Sequence, residues 1–165
     1  KNLHKLPLIA GVSVCEASKE FNFKLKLKWP NDIILNDKKI GGILCESKNI
    51  NNGKNVVIGL GMNINEKADD FPDNLRKSAI SLSMVSNKTF QRERVLAKIL
   101  NHFEKSLDLL NEKNLELFKK WESFCNHLNK EVTFHYNNVK VVGRFINISD
   151  EGNAIIEIDK KQKTF

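Results

Sequence analysis

The run Gly59-Leu60-Gly61-Met62-Asn63-Ile64-Asn65 constrains the fold of this chain more than any other segment. Strand side chains alternate with a period of two, so Ile58, Leu60, Met62 and Ile64 fall on one face and Gly59, Gly61, Asn63 and Asn65 on the other. One face packs; the other is bare backbone edged with amides. Glycine weakens a strand interior, and two glycines on one face are expected mainly where a ligand or another backbone comes close. The segment therefore reads as the floor of a binding site.

A second segment supplies charge. Lys28-Trp29-Pro30-Asn31-Asp32 runs on into Asp37-Lys38-Lys39-Ile40-Gly41-Gly42-Ile43-Leu44, which places Lys28, Asp32 and Lys39 close along one hairpin. Cations stabilise a phosphate, a carboxylate can hold a magnesium ion, and amides can read a purine edge. Those are the parts of a nucleotide site. Taken singly, each residue is ordinary, since lysines flank many hairpin turns and Asn-Asp after proline is common turn chemistry. The glycines at 59 and 61 are not a dinucleotide fingerprint, because no helix-opening glycine follows them.

Around these segments the periodicity predicts a helix over Leu6 to Phe21 and a half-buried strand in which Phe23, Leu25, Leu27 and Trp29 alternate with lysines. Ile33 to Leu35 and Ile40 to Glu46 read as strands joined by a turn at Asn36-Asp37-Lys38, and a polar turn over Asn49 to Asn55 leads into the glycine strand. Glu66 to Lys77 is charged and contains Pro72, so it reads as a mobile loop and a candidate lid beside the floor. Thr89 is the expected N-cap of a long amphipathic helix carrying Val95, Leu96, Ile99, Leu100, Phe103, Leu107 and Leu110, and Asn114 that of a second containing Trp121. Short β-type runs at Glu131 to Tyr136, Val139 to Ile148 and Ala154 to Ile158 follow, with turns at Asn137-Asn138 and at 150–153. Strands after helices suggest a small β-barrel appended to an α+β domain. The chain reaches Phe165 before such a barrel is expected to close.

Composition narrows the function classes. The length suits one domain or a domain with a small appendage, and no apolar run approaches a membrane span. The N-terminus lacks the order of a secretory signal, so the expected compartment is the cytosol. Cys15, Cys45 and Cys125 are odd in number and far apart, which argues against a disulfide framework or a zinc cluster. A net charge of +7 permits anionic partners, but the lysines are scattered and form no arginine-rich stripe with interleaved aromatics, as a nucleic-acid surface would.

In order and spacing, K-W-P-N-D, then D-K-K-I-G-G-I-L-C-E, then G-L-G-M-N-I-N closely resemble the central motifs of biotin protein ligases, the biotin–[acetyl-CoA-carboxylase] ligases. Trp121-Glu122 matches a further W-E position, and the resemblance runs through nearly the whole chain. It implies an α+β fold: a class II synthetase-like catalytic domain on a mixed β-sheet with packed helices at residues 1–127, then a Src-homology-3-like barrel at 128–165. It also implies roles. Lys39 is then the catalytic lysine, contacting the biotin carboxylate and the phosphate, and Lys28 an auxiliary cation. Gly42, Leu44, Gly59, Gly61 and Met62 line the biotin pocket; Asn31, Asp32 and Asn63 meet the nucleotide, with Asp32 near magnesium and Asn63 reading adenine. Ala79-Ile80-Ser81-Leu82 falls where the family returns from its adenylate-binding loop.

The resemblance implies ATP, Mg2+ and biotin as reactants, biotinyl-5'-AMP as the intermediate, and a lysine of the biotin carboxyl carrier protein of acetyl-CoA carboxylase as acceptor. Family members carry a G-R-G-R-x-G loop upstream of the first helix here, so the expectation is a ligase fragment extended at both ends. Some members also carry an N-terminal DNA-reading domain, upstream of the residues here. Edge strands of the sheet leave room for a homodimer. Two rivals stand beside this reading. A lipoyl or octanoyl transferase or ligase shares the fold, but the double glycine and the glycine strand favour a compact ring over a long flexible chain. A basic nucleic-acid-binding module using the tail barrel is opposed by the scattered lysines.

Overall fold

The computed structural model describes residues 3–51, 53–108 and 115–165. Helix α1 (Leu6–Lys19) is followed by a four-stranded antiparallel meander, β1 (Lys26–Lys28), β2 (Asp32–Leu35), β3 (Lys38–Ile50) and β4 (Gly53–Met62), paired in chain order. Parallel pairing enters this sheet as two isolated bridges, Leu27 with Cys125 and Lys39 with Ala79. Helix α1 is buried nearly all round between the sheet and helices α3 (Arg92–Leu107) and α4 (Leu115–Phe124), which explains its run of apolar and small residues. The core joins Ile9, Val12, Leu25, Leu27, Ile33, Ile40, Leu117 and Trp121.

A second four-stranded antiparallel sheet follows: β5 (Glu131–Tyr136), β6 (Val139–Ile148), β7 (Ala154–Ile158) and β8 (Lys161–Thr164). Phe165 packs edge-on against Phe134 and Tyr136, so side chains draw the last strand towards β5. No ladder joins β8 to β5 among the described residues.

Turn chemistry accounts for the hairpins. Asn36-Asp37, Asn137-Asn138 and Asp159-Lys160 all have positive φ at both positions, the two-residue turn whose twist matches antiparallel strands and which Asn and Asp tolerate best. Lys38, expected in the first of these turns, pairs with Leu35 and opens β3 instead. Strands β3 and β4 run on to Ile50 and from Gly53, so the polar stretch read as a long turn is mostly ladder. Strand β1 keeps only Lys26–Lys28 of the expected run, although Phe23 and Leu25 are buried as the alternation requires.

The helices differ at their ends. Helix α1 stops at Lys19, short of Phe21. Helix α3 begins after Gln91 and not at Thr89, because the Asn65 side chain grips Phe90 twice, accepting from its N–H at 2.9 Å and donating to its carbonyl at 2.8 Å, which holds that stretch extended. The expected cap at Asn114 and the helical position Leu110 lie outside the described residues. A short helix, α2 (Leu82–Ser86), is capped by Ser81, whose hydroxyl accepts from Met84 N–H, and closed by Asn87 in the left-handed region. Residues 66–77, expected as a loop, are a mostly exposed, turn-rich segment anchored at one point: Lys67 N–H donates to the Asp70 carboxylate at 2.7 Å, Phe71 is buried, and Arg76 Nε donates to Phe71 O. Among the described residues no helix is long and apolar enough to cross a membrane.

Candidate functional site

Register lines up four of the expected site residues. Lys28 pairs with Asp32, Asp32 with Gly42, and Gly42 with Gly61, so one row crosses all four strands of the first sheet. Directly opposed residues share a face. The next pair along, Leu44 with Gly59, continues that face, and both are exposed. An open groove of about 540 Å³ lies over it, lined by Asn31, Gly42, Ile43, Leu44, Gly59 and Gly61 among others. A side-chain carbon built on Gly61 meets nothing within 4 Å, and one on Gly59 meets only Leu44, at 3.6 Å and beyond. This is the bare face that the alternation predicts.

Lys39 reaches this face through a bulge. Ile33 pairs with Gly41 but Ile34 with Lys39, leaving Ile40 as an extra residue on β3. An extra residue inverts the alternation, so Lys39 moves from the face of Gly41 to that of Gly42 and Asp32. Its Nζ lies 2.5 Å from Asp32 Oδ1 and 3.7 Å from where a Gly42 side chain would begin. The bulged Ile40 is fully buried, and its carbonyl accepts from Asn63 N–H at 2.8 Å. The Lys39 backbone is gripped twice: its N–H donates to Ser78 O at 2.8 Å and its carbonyl accepts from Ile80 N–H at 3.0 Å. The residues that follow the 66–77 loop, Ser78 and Ile80, thus set the backbone that carries the lysine. Neither the bulge nor this grip emerges from the alternation; the double glycine, which in a strand often marks a bulge, was the available signal.

The amides have structural partners as well. Asn31 Nδ2 donates to Ile43 O at 3.0 Å while Ile43 N–H returns a bond to Asn31 O at 2.9 Å, locking the turn after Pro30 onto β3. Asn63 Nδ2 donates to Ile80 O at 3.1 Å. Met62 is not brought into the groove; alternation places it on the opposite face, packed on the core. Asp32 offers a single carboxylate, and among the described residues no three His, Cys, Asp or Glu side chains gather as a metal cage. Magnesium is often held by one or two carboxylates plus substrate phosphates, so this donor fits an ion that arrives on a triphosphate and not a resident one.

Burial pushes the Cys15, Cys45 and Cys125 thiols above their ordinary range. A second hollow of about 610 Å³, between Leu3, Pro7, Cys45 and Lys54, holds none of Lys28, Asp32 and Lys39.

The chain resembles known proteins in sequence and in fold. The biotin/lipoate A/B protein ligase family matches residues 3–63, and the biotin protein ligase C terminal domain matches 127–165. The apo biotin protein ligase of Aquifex aeolicus superposes with a TM-score of 0.86 at 31% identity, covering 99% of this chain and 72% of that one. The same ligase in complex with biotin and ATP matches at 30% identity and a TM-score of 0.86, over 100% of this chain and 69% of that one. The bifunctional ligase/repressor BirA of Bacillus subtilis strain 168 is 33% identical over 159 residues, 94% of this chain and 49% of that protein. Likeness of sequence and fold over this extent places the chain in the biotin protein ligase family. It spans about half the length of the bacterial ligase/repressors it matches.

Proposed function

We propose that this protein joins biotin to ATP, forming biotinyl-5'-AMP and pyrophosphate, and then passes biotin to a lysine of a biotin carboxyl carrier protein, that of acetyl-CoA carboxylase being the expected acceptor. The observation that carries this reading is the bulge that swings Lys39 onto the glycine face beside Asp32. In the first step a biotin carboxylate oxygen attacks the α-phosphate and pyrophosphate leaves. Two anions must meet, and preorganised cations are worth most where charge concentrates in the transition state. Lys39 meets the carboxylate and the phosphate, and Lys28, at the head of the same row, is the second cation. A magnesium ion bound with the triphosphate and held at Asp32 would screen the leaving pyrophosphate.

Gly42, Gly59 and Gly61 give biotin a flat floor, with Leu44 at its wall; Met62 contributes from behind the floor. Asn31 and Asn63 keep amide groups towards the nucleotide while holding β3 and residue 80. In the second step the acceptor amine attacks the biotinyl carbonyl, AMP departs, and the same lysines stabilise its phosphate. The first sheet with its helices, to about residue 127, is the catalytic unit, and the β5–β8 meander is the second domain.

The biotin protein ligase C terminal match, which lies beyond the part of the family shared with lipoate ligases, favours biotin over lipoyl or octanoyl groups. Pyrophosphate release from ATP tests the proposal. It is expected with biotin and not with lipoate or octanoate, and carrier protein added afterwards should become streptavidin-reactive. Release driven by lipoate but not biotin would overturn the reading.

A further inference from the structure

The residue after Lys28 is tied to the second sheet. Trp29 Nε1 donates to Gly152 O at 3.1 Å, and the ring stands edge-on to Phe134 at 6.2 Å. Phe134 in turn meets Phe165 at 5.2 Å, so an aromatic run leads from this turn to the end of β8. The acceptor is held firmly. Gly152 N–H bonds to Ser149 O and Ser149 N–H to Asn153 O, both at 2.8 Å, and the Ser149 hydroxyl accepts from Glu151 N–H while donating to the Glu151 carboxylate. Gly152 itself has φ 81°, a conformation other residues rarely take, so this turn aims its carbonyl by a feature that glycine alone meets without strain.

The residue before Lys28 is held too. Leu27 O accepts from Asn126 N–H at 2.8 Å, beside the parallel bridge to Cys125. The backbone of Lys28 is thus bracketed on both sides by chain nearly a hundred residues or more away, while its side chain stays exposed on the row with Asp32. Within the first sheet this stretch is held by the Lys28–Asp32 pair and the Asn31–Ile43 bonds, but β1 is an edge strand only three residues long, so the ties to residues 126 and 152 add to a short ladder.

We propose that Trp29 is a positioning residue: its bond to Gly152 fixes the Lys28–Asp32 turn, and so makes nucleotide affinity depend on the β5–β8 sheet. The proposal rests on the ligase reading for its consequence but not for its structural content. A partner whose sole task was to hold two domains together would lower stability without separating the two substrates.

The test uses Trp29→Phe in the full-length protein, which keeps an aromatic ring against Phe134 and removes the donor. Gly152→Ala is the second variant, disturbing the acceptor from the other side. Amide hydrogen exchange is expected to rise at residues 28, 29, 31 and 32 in both variants, with α1 unchanged. KM for ATP is expected to rise about three- to tenfold, the worth of one partly buried hydrogen bond, with KM for biotin within about twofold. The double variant is expected to be no worse than the poorer single one. Unchanged exchange at those amides would overturn the latch, and equal change in both KM values would overturn its positioning role. If the unsubstituted protein releases no biotin-dependent pyrophosphate, the ligase reading falls, and exchange still decides whether the latch exists.

Discussion

A side chain on Gly41 would overlap the carbonyl oxygen of Gly61 on the neighbouring strand, whereas a side chain on Gly61 itself would enter open space. The two glycines serve opposite purposes. Gly41 lets the backbones of β3 and β4 approach next to the bulge; Gly61 leaves the groove unfilled.

Gly61→Val is therefore expected to abolish binding of biotinyl-5'-AMP with little change in melting temperature, since valine suits a strand and meets no neighbour here. Gly41→Ala is expected to cost about 1–3 kcal/mol of stability, the usual range for overpacking. Calorimetric titration and thermal melts of both variants check the pair. A Gly61→Val protein that melts early while its folded fraction binds normally would show that Gly61 serves packing.

Lys39→Ala should slow adenylate formation about 100- to 1,000-fold, as loss of one preorganised charge contact costs on the order of 2.7–4 kcal/mol in a transition state. Stability should barely change, because the pair with Asp32 is more than half exposed on the lysine side (55%) and pairs of this kind contribute about 0–1 kcal/mol. Biotin-dependent pyrophosphate release, read alongside the melting curve, separates the two effects. A rate within a few-fold of the unsubstituted protein would remove Lys39 from the chemistry.

Asp32→Asn removes both the partner of Lys39 and the one carboxylate of the row. If Asp32 meets the ion carried by ATP, the magnesium concentration for half-maximal activity rises on the order of tenfold, the effect of about 1.4 kcal/mol of lost interaction. Titrating magnesium at fixed ATP measures it. An unchanged midpoint with a lowered rate would mean that Asp32 acts only on Lys39.

Burial, with Lys28 and Lys130 nearby, pulls the His127 pKa down from 6.5 to about 4. The unfolded chain takes up this proton at the ordinary value, so it binds more protons than the native state between these limits. Stability from the neutral imidazole is complete above about pH 6.5 and declines as the pH falls towards 4. Thermal melts across this window should show a falling midpoint, and His127→Gln should flatten the slope. Parallel slopes would assign the acid loss to other groups.

What could be read from the chain followed local rules. Period-two alternation exposed the glycine face because Gly59 and Gly61 occupy a regular ladder, and Asn36-Asp37 announced its hairpin through residues that tolerate positive φ. Alternation failed where the ladder is irregular: one extra residue at Ile40 changes which face Lys39 occupies. Strand β8 escaped notice because Lys161, Gln162, Lys163 and Thr164 are all exposed, so no apolar period marks it. The bond from Trp29 to Gly152 spans 123 positions, and no local pattern reports such a partner.

The bracketing of Lys28 also orders events in time. Every ladder of the first sheet joins neighbours in sequence, so β1 to β4 can zip soon after they leave the ribosome, when closing short loops costs little. The partners of Leu27 and Trp29 arrive only with residues 125–126 and 152. The strand face that carries Gly59 and Gly61 can thus form before both ties to Lys28 exist, and a chain cut before the β6–β7 turn would lack one of the two ties that set Lys28.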